Sequence, residues 1–261
     1  MEKSCQGLIT ALGLNPKEHV AVVGGGGKST LCFALAEALG LSGARVISTT
    51  TTKVWHEEPK AYPRLILDPS GKSGLDAIKK ELDEAGNVFV GQEFLENGKV
   101  EGISSTVADD LFEMPGVDYV VIEADGAAGR PLKAPAAHEP VIPRSVTSVI
   151  ALMGLEALGK PLGPDMVFRP ALFKALTGLK EGDILNPKGL VRAFDGKAGL
   201  FKNTPASARR IVFLNQLDIF PDDRAAQDMA RRLIETHRFI ERVVLGSFRK
   251  NEFISIHQEG V

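Results

Sequence analysis

Apolar residues in this chain fall into short continuous runs alternating with runs spaced three or four apart, and the alternation predicts strand and helix in turn. Val20-Ala21-Val22-Val23 is a β-branched run cut off by four glycines, and it reads as a buried strand. Beyond the glycines, Leu31, Ala34, Leu35, Ala38 and Leu39 recur at the spacing of a helix packed on a sheet, with Gly40 and Gly43 as stop signals. Arg45 to Ser48 comes next as a second strand, running into Thr49-Thr50-Thr51-Thr52.

The middle is less regular. Leu65 to Leu67 reads as a strand and Leu75 to Leu82 as a helix, while Val88-Phe89-Val90 and Lys99-Val100 read as a hairpin across Asn97-Gly98. Val117 to Ile122 is a buried strand leading into a Gly/Pro/Ala-rich stretch, Asp125 to Pro143, and Val146 to Leu152 is a further strand. Residues 154–203, rich in Pro and Gly, predict short helices joined by tight turns, an inserted helical subdomain or lid. Order then returns with a strand at Ile211 to Leu214, a helix whose face is Ala226, Met229, Ala230, Leu233, Ile234 and His237, and a last strand at Val243 to Leu245. The fold expected is α/β: a single domain over 1–261, a P-loop NTPase-like three-layer αβα sandwich with a mostly parallel sheet and an inserted segment.

Composition narrows the function classes. The 261 residues carry a formal net charge of -2 and 6% aromatics, so neither a global basic field nor a stacking platform is present, and no nucleic-acid partner is expected. No apolar run approaches the ~18 residues of a membrane span. The N-terminal Met1 to Cys5 lacks the layout of a signal peptide, so a cytoplasmic protein with no membrane partner is expected. Two cysteines, Cys5 and Cys32, are too few for a zinc cluster or disulfide framework, and Cys32 reads as a small buried hydrophobe. The 27 glycines exceed the roughly 7% average usage and show no repeat, so the excess calls for a local explanation.

Gly24-Gly25-Gly26-Gly27-Lys28-Ser29-Thr30 supplies one. Between a strand and a helix N-terminus, glycines let backbone N–H groups turn inward around phosphates, and the helix dipole favours the anion. Lys28 would reach the β- and γ-phosphates and the Ser29 hydroxyl would sit on Mg²⁺. The first glycine of the longer Walker A pattern is replaced by Val22, so the fit is to the shorter Gly-x-x-Gly-Lys-Ser form, as in Mur-type ATP-dependent ligases. Glu123 and Asp125 end the strand at Ile122, where alternation puts both on one side; one would hold Mg²⁺ and the other orient water or substrate. Asp125 capping a turn before Gly126 is the plainer alternative. The hydroxyls of Thr49 to Thr52, Thr50 foremost, would face the γ-phosphate and metal, or serve the strand and cap the segment after it. Asn215-Gln216-Leu217-Asp218 resembles the guanine-reading Asn-Lys-x-Asp, with Gln216 in place of Lys, so Asn215 and Asp218 are base-binding candidates and ATP and GTP both remain open.

With these residues collected, the chain resembles the YqeC family, whose members are described as accessory proteins for selenium-dependent molybdenum hydroxylases. The likeness rests on Val23 to Thr30, Ser48 to Lys53 and above all Glu123 to Pro135 with His138-Glu139-Pro140; Arg169-Pro170, Phe201-Lys202 with Pro205, and Asn215 to Asp218 add support. It implies a P-loop nucleotide-binding protein acting in maturation of a selenium-containing molybdenum cofactor, with a molybdopterin-type cofactor or a client hydroxylase as partner. In that setting Arg130 and Lys133 would neutralise transferred phosphate or bind an anionic substrate, or be a solvated basic pair; Arg169 and Lys202 carry the same ambiguity, and His138 reads as a surface or capping residue rather than a metal ligand. Three activities stay open: an NTP-hydrolysing enzyme using Mg²⁺ with Ser29 and Asp125, a nucleotide-gated chaperone or insertion factor with little turnover, and a Mur-like ligase or kinase acting on a small acid.

Overall fold

Strands whose every residue is buried belong in the middle of a sheet covered on both faces, and several of the runs above are of that kind. The computed structural model describes residues 2–55 and 64–258, without the side chains of residues 2–6, so Cys5 lies outside the side chains described. In chain order the elements are α1 (Glu2–Leu12), β1 (Glu18–Gly24), α2 (Lys28–Leu41), β2 (Val46–Thr50), β3 (Lys53–Trp55), β4 (Leu65–Leu67), α3 (Gly71–Ala85), β5 (Asn87–Gly91), β6 (Glu93–Phe94), β7 (Lys99–Glu101), α4 (Ser105–Glu113) and β8 (Tyr119–Glu123). They continue with β9 (Leu132–Lys133), β10 (Ser148–Gly154), β11 (Val167–Phe168), α5 (Pro170–Thr177), α6 (Pro187–Leu190), β12 (Arg209–Asn215), α7 (Asp223–Thr236), β13 (Arg242–Ser247) and β14 (Glu252–His257). The fold is α/β, with a large, mostly parallel sheet of nine strands and, among the described residues, seven α-helices, as a P-loop NTPase-like sandwich requires.

The chain divides into two compact units. The first holds residues 1–22, 29–126 and 141–148, and its strands run β1-β8-β2-β5-β4, all parallel. Every residue of β1, β2, β5 and β8 is buried. Helix α2 buries Leu31, Leu35, Ala38 and Leu39 of the expected stripe together with Cys32 and Ala36, while Ala34 is half-buried. Helix α3 stops where Gly86 turns left-handed and returns its N–H to the Leu82 carbonyl, and α4 starts on the Ser104 hydroxyl, which accepts from Val107 N–H.

The second unit holds residues 23–28, 127–140 and 149–261, and its strands run β14-β13-β12-β10. Strand β14 is antiparallel to β13 and half-exposed, an edge with Phe253, Ile254 and Ile256 spaced along it. Helix α7 is capped by Asp222, whose carboxylate accepts from the N–H groups of Arg224 and Ala225, and it buries Ala226, Met229, Ala230, Leu233 and Ile234. Within 154–203 lie α5, α6 and two 3₁₀ turns, Leu155–Ala157 and Val191–Phe194.

One expectation is corrected. Val88-Phe89-Val90 does not pair with Lys99-Val100: β5 lies in the parallel sheet between β2 and β4, and the turn at Asn97-Gly98 joins β6 to β7, which in turn pairs with β3. A strand buried on both faces needs neighbours on both edges, and the parallel partners satisfy that where a two-stranded hairpin could not.

Candidate functional site

The glycines earn their place by the absence of a side chain. A methyl built on any of Gly24, Gly25, Gly26 or Gly27 would lie under 3.0 Å from a neighbour: the Leu152 carbonyl for Gly24, the Arg130 carbonyl for Gly25, the Gly154 backbone for Gly26 and the Asn215 amide for Gly27. Gly24 and Gly26 also have φ of 100° and 84°, a region that costs an L-residue about 1–2 kcal/mol. The run is therefore a tightly packed turn. Its main chain is held by Gly25 N–H on Leu152 O at 2.9 Å and Gly26 N–H on Arg130 O at 3.0 Å, while Asn215 Nδ2 donates to Gly26 O at 2.8 Å. Those two amides are taken by carbonyls.

Lys28 opens α2 with its side chain folded back, Nζ donating to Gly24 O at 2.9 Å, and it is 5% exposed. The next residue in the chain, Ser29, donates its hydroxyl to Glu123 Oε2 at 2.8 Å. Glu123 is the last residue of β8, opposite Val22 of β1 and Thr50 of β2. Asp125 is buried too, but β8 ends two residues before it, so strand alternation governs Glu123 and not Asp125. It is Glu123 that meets the Ser29 hydroxyl.

The threonine hydroxyls turn to the main chain. Thr49 donates to Val90 O at 2.7 Å, Thr50 to Glu123 O at 2.9 Å and Thr51 to Val141 O at 2.8 Å; Thr50 Oγ1 also accepts from Thr52 N–H. Thr50 thus fixes the end of the carboxylate strand, and metal ligation by it would have to use a lone pair beside those two bonds.

At the end of β12, Asn215 grips the glycine turn and Gln216 takes a left-handed backbone, φ 70°, with Nε2 donating to Glu156 Oε1 at 3.0 Å. Gln216 Oε1 is buried without a hydrogen-bond partner among the described residues. Asp218 is half-buried just beyond.

Sequence reasoning missed a buried ion cluster. Lys133 Nζ donates to Glu139 Oε2 at 2.8 Å, and Arg169 straddles the same carboxylate, Nη1 on Oε2 and Nη2 on Oε1 at 3.2 Å. Burial pushes the Glu139 carboxyl up, but the bonds from Arg169 and Lys133 outweigh it and hold it at about 2. The Arg169 guanidinium also stacks over Phe168, 4.5 Å from the ring centroid. Lys202 Nζ donates to the carbonyls of Ala136 and Ala137, and Asn203 Nδ2 to that of Pro140. Lys133, Arg169 and Lys202 therefore tie down the segment 127–140, whose Arg130 and Pro131 carbonyls receive Gly26 N–H and Gly154 N–H. The spacing of a Lys, a Glu and a distant Arg holds no periodic signal; only the clustering of charge in a Pro-rich stretch hinted at it. His138 is exposed, and no group of three or more metal-ligating side chains of the His, Cys, Asp or Glu kind occurs among the described residues. Among the described residues no helix is long and apolar enough to cross a membrane.

A family model described as "YqeC protein" matches residues 20–171, the stretch from β1 through the glycine turn, Glu123, Asp125, Glu139 and Arg169. The Escherichia coli (strain K12) protein named "Uncharacterized protein YqeC" is 33% identical over 259 residues, covering 95% of this chain and 94% of that protein.

Proposed function

The chain belongs to the YqeC family, and from that premise we propose that it binds a nucleoside triphosphate, ATP or GTP, with Mg²⁺, and hydrolyses it in the maturation of selenium-dependent molybdenum hydroxylases or their cofactor. The observation that carries the nucleotide reading is the 2.8 Å bond from Ser29 to Glu123, one residue after a lysine and a turn in which no glycine has room for a methyl. A hydroxyl and a carboxylate oxygen are the hard donors that Mg²⁺ takes from a protein while keeping water and phosphate oxygens for its other positions.

In this reading each residue has one role. Lys28 exchanges the Gly24 carbonyl for β- and γ-phosphate oxygens. Ser29 and Glu123 hold the metal, Glu123 taking the role first open to either acid. Asp125 orients the attacking water. Asn215 holds the Gly26 carbonyl, so its amide positions the turn, and Thr50 positions Glu123 through its backbone. Mg²⁺ held there would supply neutralisation of phosphate charge. The pathway assignment rests on the family resemblance alone.

Phosphate release from ATP, GTP and CTP, measured with and without Mg²⁺, tests the reading. Wild-type protein should release phosphate only with Mg²⁺, Lys28→Ala should neither bind nor turn over, and Glu123→Gln should lose turnover by at least about 100-fold. Wild-type rates in Lys28→Ala would sink the reading. Turnover that stays negligible until a client hydroxylase is added would replace the enzyme by the nucleotide-gated insertion factor.

A further inference from the structure

Four cations belong to the segment 127–140 or reach it, and the structure separates them. Lys133 is wholly buried on Glu139, Arg169 is bound to the same carboxylate, and Lys202 is spent on the Ala136 and Ala137 carbonyls. Arg130 differs. Its backbone carbonyl accepts Gly26 N–H at 3.0 Å and leaves no space for a methyl on Gly25, so its Cα is fixed against the glycine turn. Its side chain is 42% exposed, and its guanidinium lies 3.9 Å from Asp165, a carboxylate 88% exposed. A contact that long between exposed groups is worth little and is readily exchanged. The Arg130 backbone stands beside the turn at which the nucleotide reading places the phosphates.

We infer that Arg130 is a catalytic residue of the proposed NTP hydrolysis, supplied by the same chain, whose guanidinium leaves Asp165 and neutralises charge at the reacting phosphate; the inference rests on the nucleotide reading above. As water adds to the γ-phosphorus, the bridging P–O bond breaks, the electron pair leaves on the nucleoside diphosphate, and the water proton passes to solvent. Charge on the equatorial and leaving oxygens is then largest, and a planar guanidinium matches them with two parallel hydrogen bonds. The Lys133–Glu139–Arg169 cluster acts differently, by fixing the segment from which Arg130 projects. Lysine at position 130 would bring the charge without the fork.

Binding of Mg²⁺ with ATP or GTP, and with the matching diphosphate plus aluminium fluoride, separates the outcomes for wild type, Arg130→Ala and Arg130→Lys. The wild type should bind both states. Arg130→Ala should keep triphosphate affinity within about 3-fold and lose at least about 30-fold for the aluminium fluoride state, with Arg130→Lys between, because a group acting at the transition state costs little in the ground state. Thermal melts should coincide, since the side chain is exposed and the Arg130 carbonyl remains. Equal affinities in Arg130→Ala and wild type, an equal loss for both states, or no fluoride-dependent complex in the wild type would each overturn the inference while leaving nucleotide binding intact. A wild type that binds neither ATP nor GTP would remove the nucleotide reading and this inference with it.

Discussion

The two ends of strand β1 are held by opposite means. At its start Glu18 and His19 are buried among side chains: Ser148 and Thr147 donate to Glu18, and His19 Nδ1 lies 2.8 Å from Ser145 Oγ, which donates to Asp109 at 2.6 Å. At its finish the four glycines carry no side chains. Gly24 to Gly27 let the main chain come within contact of Leu152, Arg130, Gly154 and Asn215; the Gly25 and Gly26 N–H groups go to backbone carbonyls, and the Lys28 and Asn215 side chains hold the Gly24 and Gly26 carbonyls. Side-chain networks give the polar end specific partners, although His19 Nε2 has none among the described residues. A turn built from bare backbone keeps its surface for something else, at the cost of tolerating no added atom.

The comparison can be broken most violently at Gly26. Gly26→Ala would put a methyl into the Gly154 backbone at φ 84°, and overpacking against main chain plus left-handed strain should cost about 3 kcal/mol or more. A fall in Tm of several degrees checks it. Gly129→Ala is the control: φ is 72° but nothing lies within 4 Å, so only the strain of about 1 kcal/mol should appear. Equal falls would show that backbone angle, not close approach, explains the glycines.

The polar end should reveal itself by pH. Burial lowers the His19 pKa from 6.5 to about 4, with the Asp109 charge opposing. The unfolded chain therefore takes up this proton first, so stability is full above pH 6.5, falls as the pH drops toward 4 and reaches its lowest below that. The total is about 3 kcal/mol, from 1.36 kcal/mol per pKa unit. Urea unfolding of wild type and His19→Gln at pH 7 and pH 4.5 reads the difference, which should be present only in the wild type. Glu139 loses its contribution in a lower window, between pH 4.5 and about 2, because its folded pKa is depressed by its cationic partners.

A smaller effect is expected at Asn215→Ala. Removing the donor to Gly26 O should cost about 1 kcal/mol and speed amide exchange at the glycine turn. Unchanged exchange there would take Asn215 out of the turn's support and return it to base reading.

Much of this was legible in the sequence where a local pattern carries the information. β1, β8, β10, β12 and β13 stand out because a strand covered on both faces is one apolar run, and α2 and α7 because their buried residues recur at helical spacing. Beside the two- and three-residue strands β3, β6, β9 and β11, three elements escaped for physical reasons. α1 carries a glycine and polar residues between its apolar ones, α4 is a nine-residue helix with three buried side chains, and β14 is a half-exposed edge strand whose pairing is decided by β13. The glycine turn, Lys28, Ser29 and Glu123 are likewise local to strand ends and could be named in advance. What sequence could not supply was partnership: that Ser29 chooses Glu123, that Arg130 backs the turn while Lys133 is buried on Glu139, and that threonine hydroxyls go to carbonyls. Most of these join residues tens of positions apart, through packing rather than spacing.

The central claim is that the bare end of β1 holds a nucleotide. Thermal unfolding of wild type and Lys28→Ala with ATP, GTP or CTP and Mg²⁺ tests it most directly. A ligand at 100 times its dissociation constant should stabilise the wild type by about 2.7 kcal/mol and raise its Tm by several degrees, leaving Lys28→Ala unmoved. A wild-type Tm that no nucleotide raises, or an equal rise in Lys28→Ala, would contradict the account.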